Sequence, residues 1–462
     1  FFAAMRHFRD TLRARGVTVD YRELAAERRS PRTKSVGFAA ALDEDLPRLR
    51  PAKLIATHPG DHRVLTLLHE AADRHGLPLD LREDRHFLCT TDGFNDWADA
   101  RKTLVMEHFY RRQRQDHRVL LTKDGQPVGG KWNYDAANRE AFGKLGPGRV
   151  PRPRAFAPDA VTRGVIDMVN TRFADHPGCA DAFDLPVTPA DARALLDDFI
   201  EHRLPQFGRY EDAMWDDEPF LYHSRLSAAL NLHLLDPRDA IAAAVDAHGR
   251  GHAPLEAVEG FVRQVLGWRE FVRGVYWNQM PRYATLNALG ATGEVPAFFW
   301  TAQTDMNCVR QAAGSLQRHA YTHHIQRLMV LGLYALLAGV HPYRFHEWHL
   351  AMYADAVDWV SLPNALGMSQ FGDGGIVGTK PYCATGKYIQ RMSNHCDGCR
   401  YRPDRATGDD ACPFTTLYWD FLARHEPMLA RNHRTVMQVK NLRRRDKDEL
   451  HAIRKQAEAL RA

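Results

Sequence analysis

The sequence predicts an α/β N-terminal part followed by an all-helical C-terminal part. Helix and strand signals alternate over residues 1–125, prolines crowd residues 126–190, and nearly everything in residues 191–462 has helical periodicity. A chain of 462 residues can bury more than one hydrophobic core. We therefore expect an N-terminal domain, an interdomain connector and a C-terminal domain with these boundaries.

The N-terminal part has the pattern of βαβ units, which is typical of a parallel sheet. Its expected elements are a helix at Met5–Arg15, strands at Val17–Tyr21 and Lys53–Thr57, and helices at 61–75 and 97–114. Phe1–Phe2 is interpreted as the end of a first strand that is missing before the first residue.

The connector is rich in proline, and a loop of this length is either functional or packed across another domain. Thr188–Pro189 then predicts a helix start, because Thr suits the N-cap and Pro suits the first turn.

The longest apolar run, Leu328–Val340, is shorter than the roughly 18 to 20 residues that a membrane span needs. It predicts a core helix in a cytoplasmic protein without membrane contact. The net charge of +5 indicates a mild preference for binding polyanions.

Three cysteines gather in a short stretch near the C-terminus. Cys396 and Cys399 are separated by Asp-Gly, and Cys412 follows after twelve intervening residues, just before a proline. Iron–sulfur clusters and structural zinc both use thiolates spaced in this way. Cys308 is our choice for the fourth ligand, because its neighbours resemble the start of a buried helix. A zinc knuckle and unconnected thiols are the alternatives, and an odd total of seven cysteines argues against a disulfide framework.

Two stretches of the helical part indicate binding of a phosphate-bearing ligand. The run Tyr222–Ser227 (YHSRLS) places hydroxyls, an arginine and helix-terminal N–H groups where they can surround a phosphate. An ordinary helix cap is the alternative. In the second stretch, Gln264, Arg269 and Arg273 lie among aromatic residues at helical spacing. Buried arginine beside tryptophan favours ligand contact over a solvated charged face.

The helical part also carries two histidine motifs. His323 and His324 are adjacent on an expected helix, so they point about 100° apart and cannot chelate one ion together. One can lie in the core while the other donates a proton near pH 7, and a purely structural pair is the alternative. The run His346–His349 (HEWH) is one residue short of the HExxH signature, which excludes a zinc protease of that class.

Taken together, these motifs resemble those of the bacterial iron–sulfur photolyases and cryptochromes, the prokaryotic (6-4) photolyases. The resemblance rests on GGKWNYDAANR at Gly129–Arg139, YHSRLS at 222–227, QVLGWREFVRG at 264–274, the His323–His324 pair, LPNALGMSQFGDGG at 362–375 and the four cysteines. It covers almost the whole chain. It implies the photolyase/cryptochrome fold, with an α/β antenna domain at 1–125, a connector at 126–190 and an all-helical FAD-binding domain at 191–462.

The resemblance also implies cofactors and roles for particular residues. A 4Fe-4S cluster would be held by Cys308, Cys396, Cys399 and Cys412, and a 6,7-dimethyl-8-ribityllumazine antenna by the first domain. FAD would be contacted by Tyr222, Ser224, Arg225, Leu226, Ser227, Gln264, Arg269, Arg273, Asp355, Asp358 and Asn364. The lesion side would use His323 and His324, one of them as proton donor, with Tyr382 and Tyr388 as a lesion-binding wall. Electron transfer would use Trp348 and Trp300, with His349 at the middle position where an aromatic relay residue is expected.

The function that the resemblance implies is light-driven repair of UV-damaged DNA. Excited reduced FAD would revert (6-4) pyrimidine photoproducts by electron transfer, in a monomer that takes the lesion flipped out of the duplex. A blue-light photoreceptor with the same cofactors is the alternative, since fold and cofactors do not separate the two. A zinc-stabilised nucleic-acid-binding protein is a third hypothesis, but it leaves the YHSRLS motif unexplained.

Overall fold

The computed structural model describes residues 1–24 and 37–461. Near the N-terminus, β1 (Leu54–Thr57) and β2 (Leu79–Arg82) pair in parallel, with Leu54 opposite Leu79. The helix between them is capped by Asp61, whose carboxylate accepts the Arg63 amide at 2.8 Å. The predicted parallel βαβ arrangement is therefore confirmed, with β1 and the helix after it where the sequence places them and with a second strand, β2, that the sequence pattern did not predict. The helices of this part are α1 (Phe2–Ala14), α2 (Phe38–Leu49), α3 (His62–His75), α4 (Thr91–Asp99) and α5 (Met106–His117).

Three expectations for this part were wrong. Val17–Tyr21 is not a strand, because its backbone bonds to α1: the Val17 amide donates to Leu12 and Arg13 donates to the Val19 carbonyl. Phe1–Phe2 does not end a strand, since α1 begins at Phe2. The helix expected at 97–114 is two helices, and Arg101 ends the first by donating to the Trp97 carbonyl at 2.6 Å.

The connector contains one long helix, α6 (Ala160–Arg172), which the sequence pattern did not predict. Asp159 caps it by accepting the Thr162 amide at 2.8 Å. Val165 and Met168 of α6 pack with Ala3 of α1 in a small apolar cluster of their own. Part of the connector is therefore packed against the N-terminal part instead of spanning open solvent.

Every named element from Pro189 onward within the described residues is a helix, as predicted. Thr188 caps the first helix there by accepting the Asp191 amide at 3.2 Å. The helices are α7 (Pro189–His202), α8 (Leu204–Phe207), α9 (Ser227–Asn231), α10 (Pro237–Gly249), α11 (Leu255–Val262), α12 (Arg269–Gln279), α13 (Ala297–Thr301), α14 (Asn307–His319), α15 (His324–Gln326), α16 (Leu333–Ala338), α17 (Pro342–Met352), α18 (Asp358–Leu362), α19 (Gly386–Met392), α20 (Pro413–Arg424), α21 (Glu426–Leu429), α22 (Val436–Arg443) and α23 (Lys447–Arg461).

Three wide, π-type turns lengthen these helices. They occupy Arg263–Trp268 between α11 and α12, Arg327–Gly332 between α15 and α16, and Pro363–Ser369 after α18. Such turns are rare and occur frequently at functional sites. Each of them carries or adjoins residues that the sequence assigns to the flavin or the lesion.

One hydrophobic core joins the N-terminal helices to the helical part. Phe94 of α4 lies 5.3 Å from Phe109 of α5 and 6.0 Å from Phe271 of α12, measured between ring centroids. Gly274 of α12 faces Phe94 so closely that a Cβ atom there would overlap the ring. Within the described residues, no helix is both long and apolar enough to cross a membrane.

Gly274→Ala is expected to destabilise the protein by about 1 to 3 kcal/mol, because its methyl group overpacks the contact between α4 and α12. Urea unfolding at neutral pH measures the change. Gly249→Ala, at the end of α10 where a Cβ meets nothing within 4 Å, is the matched control and should not destabilise. Equal midpoints for the two variants would contradict the close packing at Gly274.

Candidate functional site

The four cysteines singled out in the sequence line one cavity. Cys308 lies in the first turn of α14, Cys396 and Cys399 lie in the loop after α19, and Cys412 is the N-cap of α20. The remaining lining of the cavity is Met306, Gly386, Ile389, His395, Tyr401 and Phe414. All four thiols are free, and those of Cys308 and Cys412 are buried.

The electrostatics of this cavity oppose four bare thiolates. Burial raises the pKa of Cys308 well above its ordinary value, and the neighbouring thiols of Cys412, Cys396 and Cys399 raise it further. Burial also raises the pKa of Cys396 to about 12. Over residues 1–24 and 37–461, no group of three or more His, Cys, Asp or Glu side chains is arranged to hold a metal ion.

Local hydrogen bonds shape the cysteine loop. The Cys399 amide donates to the Cys396 carbonyl at 3.4 Å, and the Cys412 amide donates to the Arg402 carbonyl at 3.2 Å. Gly386 of α19 packs against the end of this loop, where a Cβ atom would lie 2.7 Å from the Cys412 sulfur. Its missing side chain leaves room for that thiol.

The YHSRLS segment forms a bend that leads into α9. Arg225 has a left-handed backbone (φ 57°) and makes a two-pronged ion pair with Asp184 of the connector, at 2.8 and 3.0 Å. The Ser224 hydroxyl accepts the Leu226 amide at 3.3 Å. Ser227 begins α9 and hydrogen-bonds Asp355, so this segment meets another predicted flavin contact.

Gln264, Arg269 and Arg273 point in two directions. The Gln264 amide donates to Glu211 at 2.9 Å. The guanidinium groups of Arg269 and Arg273 lie 4.1 and 4.0 Å from the ring centroid of Phe87, which they share. Arg269 also pairs with Glu270 at 2.7 Å, while its Nε and Nη2 atoms are buried without a partner among the described residues.

His323 and His324 have different surroundings. The ring of His323 is buried and stacks on His223 with 4.4 Å between centroids and 9° between planes. Burial lowers the pKa of both rings, to about 3 for His223 and well below the ordinary value for His323. His324 is exposed to solvent, yet desolvation by surrounding protein and the charge of Arg327 lower its pKa to about 4.

Asp355 belongs to a buried ion pair beside the histidines. Arg327 contacts both of its carboxylate oxygens, at 2.9 and 3.0 Å, and donates from Nε to the Thr322 carbonyl at 2.8 Å. Burial raises the pKa of Asp355, but the charge and hydrogen bonds of Arg327 and a hydrogen bond from Ser227 lower it by more. The pKa of Asp355 therefore lies below its ordinary value.

The aromatic residues assigned to electron transfer, except for Trp300, belong to one compact row with Tyr353, in which the rings of Trp348 and Tyr353 also lie 5.8 Å apart. Trp348 is buried 5.1 Å from His349, and His349 stacks on Tyr353 at 4.9 Å with 13° between planes. Arg327 lies 4.1 Å from the Tyr353 ring, which connects this row to the histidine pair. Trp300 follows Phe299, whose ring is 5.1 Å from Trp348. Burial lowers the pKa of His349 to about 3.

Asp358 and Asn364 form hydrogen bonds that do not involve this row. Asp358 accepts from the Tyr276 hydroxyl and from His346, the latter at 3.0 Å. Burial raises the pKa of Asp358, but these hydrogen bonds lower it overall. Asn364 donates to the Val360 carbonyl at 2.7 Å inside its π-type turn. These two side chains are therefore anchored by the protein itself.

The predicted lesion wall contains an acidic group that the sequence motifs did not reveal. Burial raises the pKa of Glu211 to about 8 and that of Asp212 to about 6. Tyr388 hydrogen-bonds Asp212, and burial together with that carboxylate raises the pKa of its hydroxyl. Arg391 lies 5.5 Å above the Tyr388 ring. Tyr382 is half-buried. Burial raises the pKa of its hydroxyl, and the charge of Arg434 partly offsets that rise.

Comparison with known proteins agrees with this geometry. The chain is 44% identical over 462 residues to the (6-4) photolyase of Agrobacterium fabrum (strain C58), covering 99% of this chain and 89% of that protein. A family model described as deoxyribodipyrimidine photo-lyase-related protein matches residues 1–185. A solved bacterial class III photolyase from Agrobacterium tumefaciens superposes with a TM-score of 0.50 and 15% identity, over 77% of this chain and 71% of that one.

The fold is therefore the photolyase/cryptochrome fold, with a small parallel sheet and a large helical part. The full-length similarity places the molecule more narrowly: the chain belongs to the family of the Agrobacterium (6-4) photolyase.

Asp355→Asn is expected to lower the free energy of unfolding by about 3 kcal/mol at pH 7, because it leaves Arg327 in a buried site without its counter-charge. The folded-state pKa of Asp355 is depressed, so its contribution is present above about pH 4 and is lost as pH falls further. The difference between wild type and variant should therefore shrink at pH 3, as measured by urea unfolding at both pH values.

The exposed pair of Asp246 and Arg250 supplies the control for that measurement. Asp246→Asn should change stability by less than about 1 kcal/mol at either pH. A cost for Asp355→Asn that does not depend on pH would contradict the charge-based account.

Proposed function

We propose that this protein is a light-driven DNA repair enzyme that reverts (6-4) pyrimidine photoproducts, working as a monomer in the cytoplasm. The observation that carries the proposal is the 44% identity over nearly the whole chain to a protein named (6-4) photolyase. The accessibility of His324, Tyr382 and Tyr388 also supports it, because a flipped base must be able to reach the side chains that bind it.

FAD would be held by the YHSRLS bend, by Gln264, Arg269 and Arg273, and by Asp355, Asp358 and Asn364. The unpartnered Nε and Nη2 atoms of buried Arg269 fit an anionic or carbonyl-bearing ligand, since buried donors are normally paired. When bound, FAD supplies the blue-light absorption and the low-potential electron that no amino acid provides. The protein would orient the flavin, exclude water from it and place charged side chains around it.

His324 is the proton donor in this proposal. Its ring is reachable from solvent, whereas His323 is enclosed and stacked on His223. The surroundings lower the pKa of His324 to about 4. Phosphates of a bound DNA strand would raise that pKa again, because negative charge favours the protonated ring. His323 and His223 would hold the orientation of the segment that carries His324.

Cations around the lesion wall would bind the damaged strand without reading its sequence. Arg391 lies exposed above Tyr388. The charge of Arg139 offsets part of the rise that burial causes in the pKa of Asp212. Arg434 lies beside Tyr382 and donates to the Thr379 hydroxyl at 2.7 Å. Phosphate contacts of this kind position a duplex, while an unstacked lesion lowers the cost of flipping.

The four cysteines would hold a 4Fe-4S cluster. Four thiols around a mainly apolar cavity fit the donor set of such a cluster. Its role would be structural, since it would join α14 to the loop between α19 and α20. The antenna, 6,7-dimethyl-8-ribityllumazine, rests on family resemblance alone and would lie in the α/β part.

The decisive measurement is repair of an oligonucleotide with one (6-4) photoproduct, using anaerobically purified protein of known flavin content. We expect intact pyrimidines to reappear under blue light and not in the dark. His324→Asn should lower the repair rate about 100-fold or more while flavin content is unchanged, as expected for loss of a general acid.

Two results would contradict this proposal. Wild-type protein that binds flavin, responds to blue light and repairs nothing would instead support a photoreceptor. Repair at an unchanged rate by His324→Asn would keep the photolyase but remove His324 as the proton donor.

The row formed by Trp348, His349 and Tyr353 is the route proposed for electrons that reduce the flavin. A buried imidazole of low pKa is harder to oxidise than a phenol, so His349 makes a poor relay residue. His349→Tyr should accelerate photoreduction of bound flavin, followed by absorbance under blue light with an external donor. His349→Phe is the size-matched control and should not accelerate it; equal rates in all three proteins would exclude His349 as the limiting position.

A further inference from the structure

Asp216 lies beside the four-cysteine cavity and belongs to no motif found in the sequence. Its carboxylate accepts a hydrogen bond from His395 Nδ1 at 2.6 Å. It accepts two more from the side-chain amide of Asn307, at 3.1 and 3.2 Å. His395 and Asn307 are both buried, whereas Asp216 is partly exposed. A carboxylate is therefore clamped between two buried polar side chains.

Each of these partners precedes a cysteine of the cavity. Asn307 is next to Cys308 at the start of α14, and His395 is next to Cys396 in the loop after α19. The Asn307 amide also donates to the His395 carbonyl at 3.0 Å. Asp216 thus joins two thiol-bearing segments that are 88 residues apart along the chain.

The backbone around Asp216 strengthens the same connection. The Asp216 amide donates to the Asn394 side chain at 2.9 Å, and the Met214 amide donates to the Met392 carbonyl at 2.9 Å. Residues 214–216 therefore run alongside residues 392–395. His395 lines the cysteine cavity, and its Nε2 atom is buried without a partner among the described residues.

We propose that Asp216 is a positioning residue for the iron–sulfur cluster, because it fixes Cys308 and Cys396 relative to each other through Asn307 and His395. This inference rests on the cluster proposed above. Hydrogen-bonded groups one step removed from the ligands orient them, and their loss typically costs 10- to 100-fold in metal affinity. A charge-assisted hydrogen bond to a carboxylate is also stronger than one to a neutral amide.

Asp216→Asn is the sharpest test, since it keeps size and shape. The new amide turns a donor toward the Asn307 amide, so at least one of the three hydrogen bonds is lost. Asp217→Asn is the matched control: Asp217 is exposed, and its contact with Gln311 at 3.2 Å comes from its backbone amide, which the substitution leaves in place.

The measurement is iron and sulfide content after anaerobic purification, followed by bleaching of the cluster absorbance in air. Flavin content and melting temperature are recorded in the same samples. Asp216→Asn should lose its cluster about 10-fold faster than wild type. Asp217→Asn should match wild type, and both variants should retain flavin.

A second variant guards against poor folding of the first. Asn307→Ser removes the donors to Asp216 and to the His395 carbonyl while the Asp216–His395 bond stays. It should also lose its cluster faster than wild type. The fold-increase in loss rate of the double variant should be smaller than the product of the two single-variant fold-increases, because both substitutions remove one shared contact.

The outcomes separate this inference from the cluster itself. Wild-type protein without iron and sulfide would overturn the proposed cluster and the role of Asp216 with it. A normal cluster with equal loss rates in wild type and Asp216→Asn would overturn only the role of Asp216. Loss of flavin and cluster together, in step with a lower melting temperature, would also overturn it, because it would indicate a general structural effect.

Discussion

The buried ion pair of Arg327 and Asp355 is the interaction on which the candidate site depends. Arg327 contacts both carboxylate oxygens, the Thr322 carbonyl and the face of Tyr353. One guanidinium therefore fixes the segment before the histidine pair, one end of the aromatic row and the carboxylate that meets Ser227. Arginine suits this position because its planar, permanently charged fork can serve several partners at once.

The fold was predictable where local signals were strong. Thr188 with its following proline marked the start of α7, and the alternating pattern of Lys53–Thr57 marked β1. The run Val17–Tyr21 had the same β-rich composition but forms no strand, because Leu12 and Arg13 of the preceding helix take up its backbone groups. Composition alone does not show which neighbour a backbone will bond to.

The candidate site was predictable where residues of one kind cluster in the sequence. The spacing of Cys396, Cys399 and Cys412 revealed the cysteine cavity, and adjacency revealed the histidine pair. Glu211 and Asp216 were missed, because an acidic residue in a loop carries no motif and acquires meaning only from partners far along the chain. The flavin-contact roles proposed for individual residues come from family resemblance, because periodicity does not give them.

The π-type turns give the helices a property that an ordinary α-helix lacks. A turn of this kind holds one extra residue, so the helix beyond it is rotated by about 100° relative to a regular continuation. The turn at Arg263–Trp268 contains Gln264, which contacts Glu211, and directly precedes Arg269, which contacts Phe87. The extra residue therefore sets the rotation of α12, and with it the direction of Arg269 and Arg273, relative to α11. An alignment that ignored such an extra residue would match side chains about 100° apart around the helix axis.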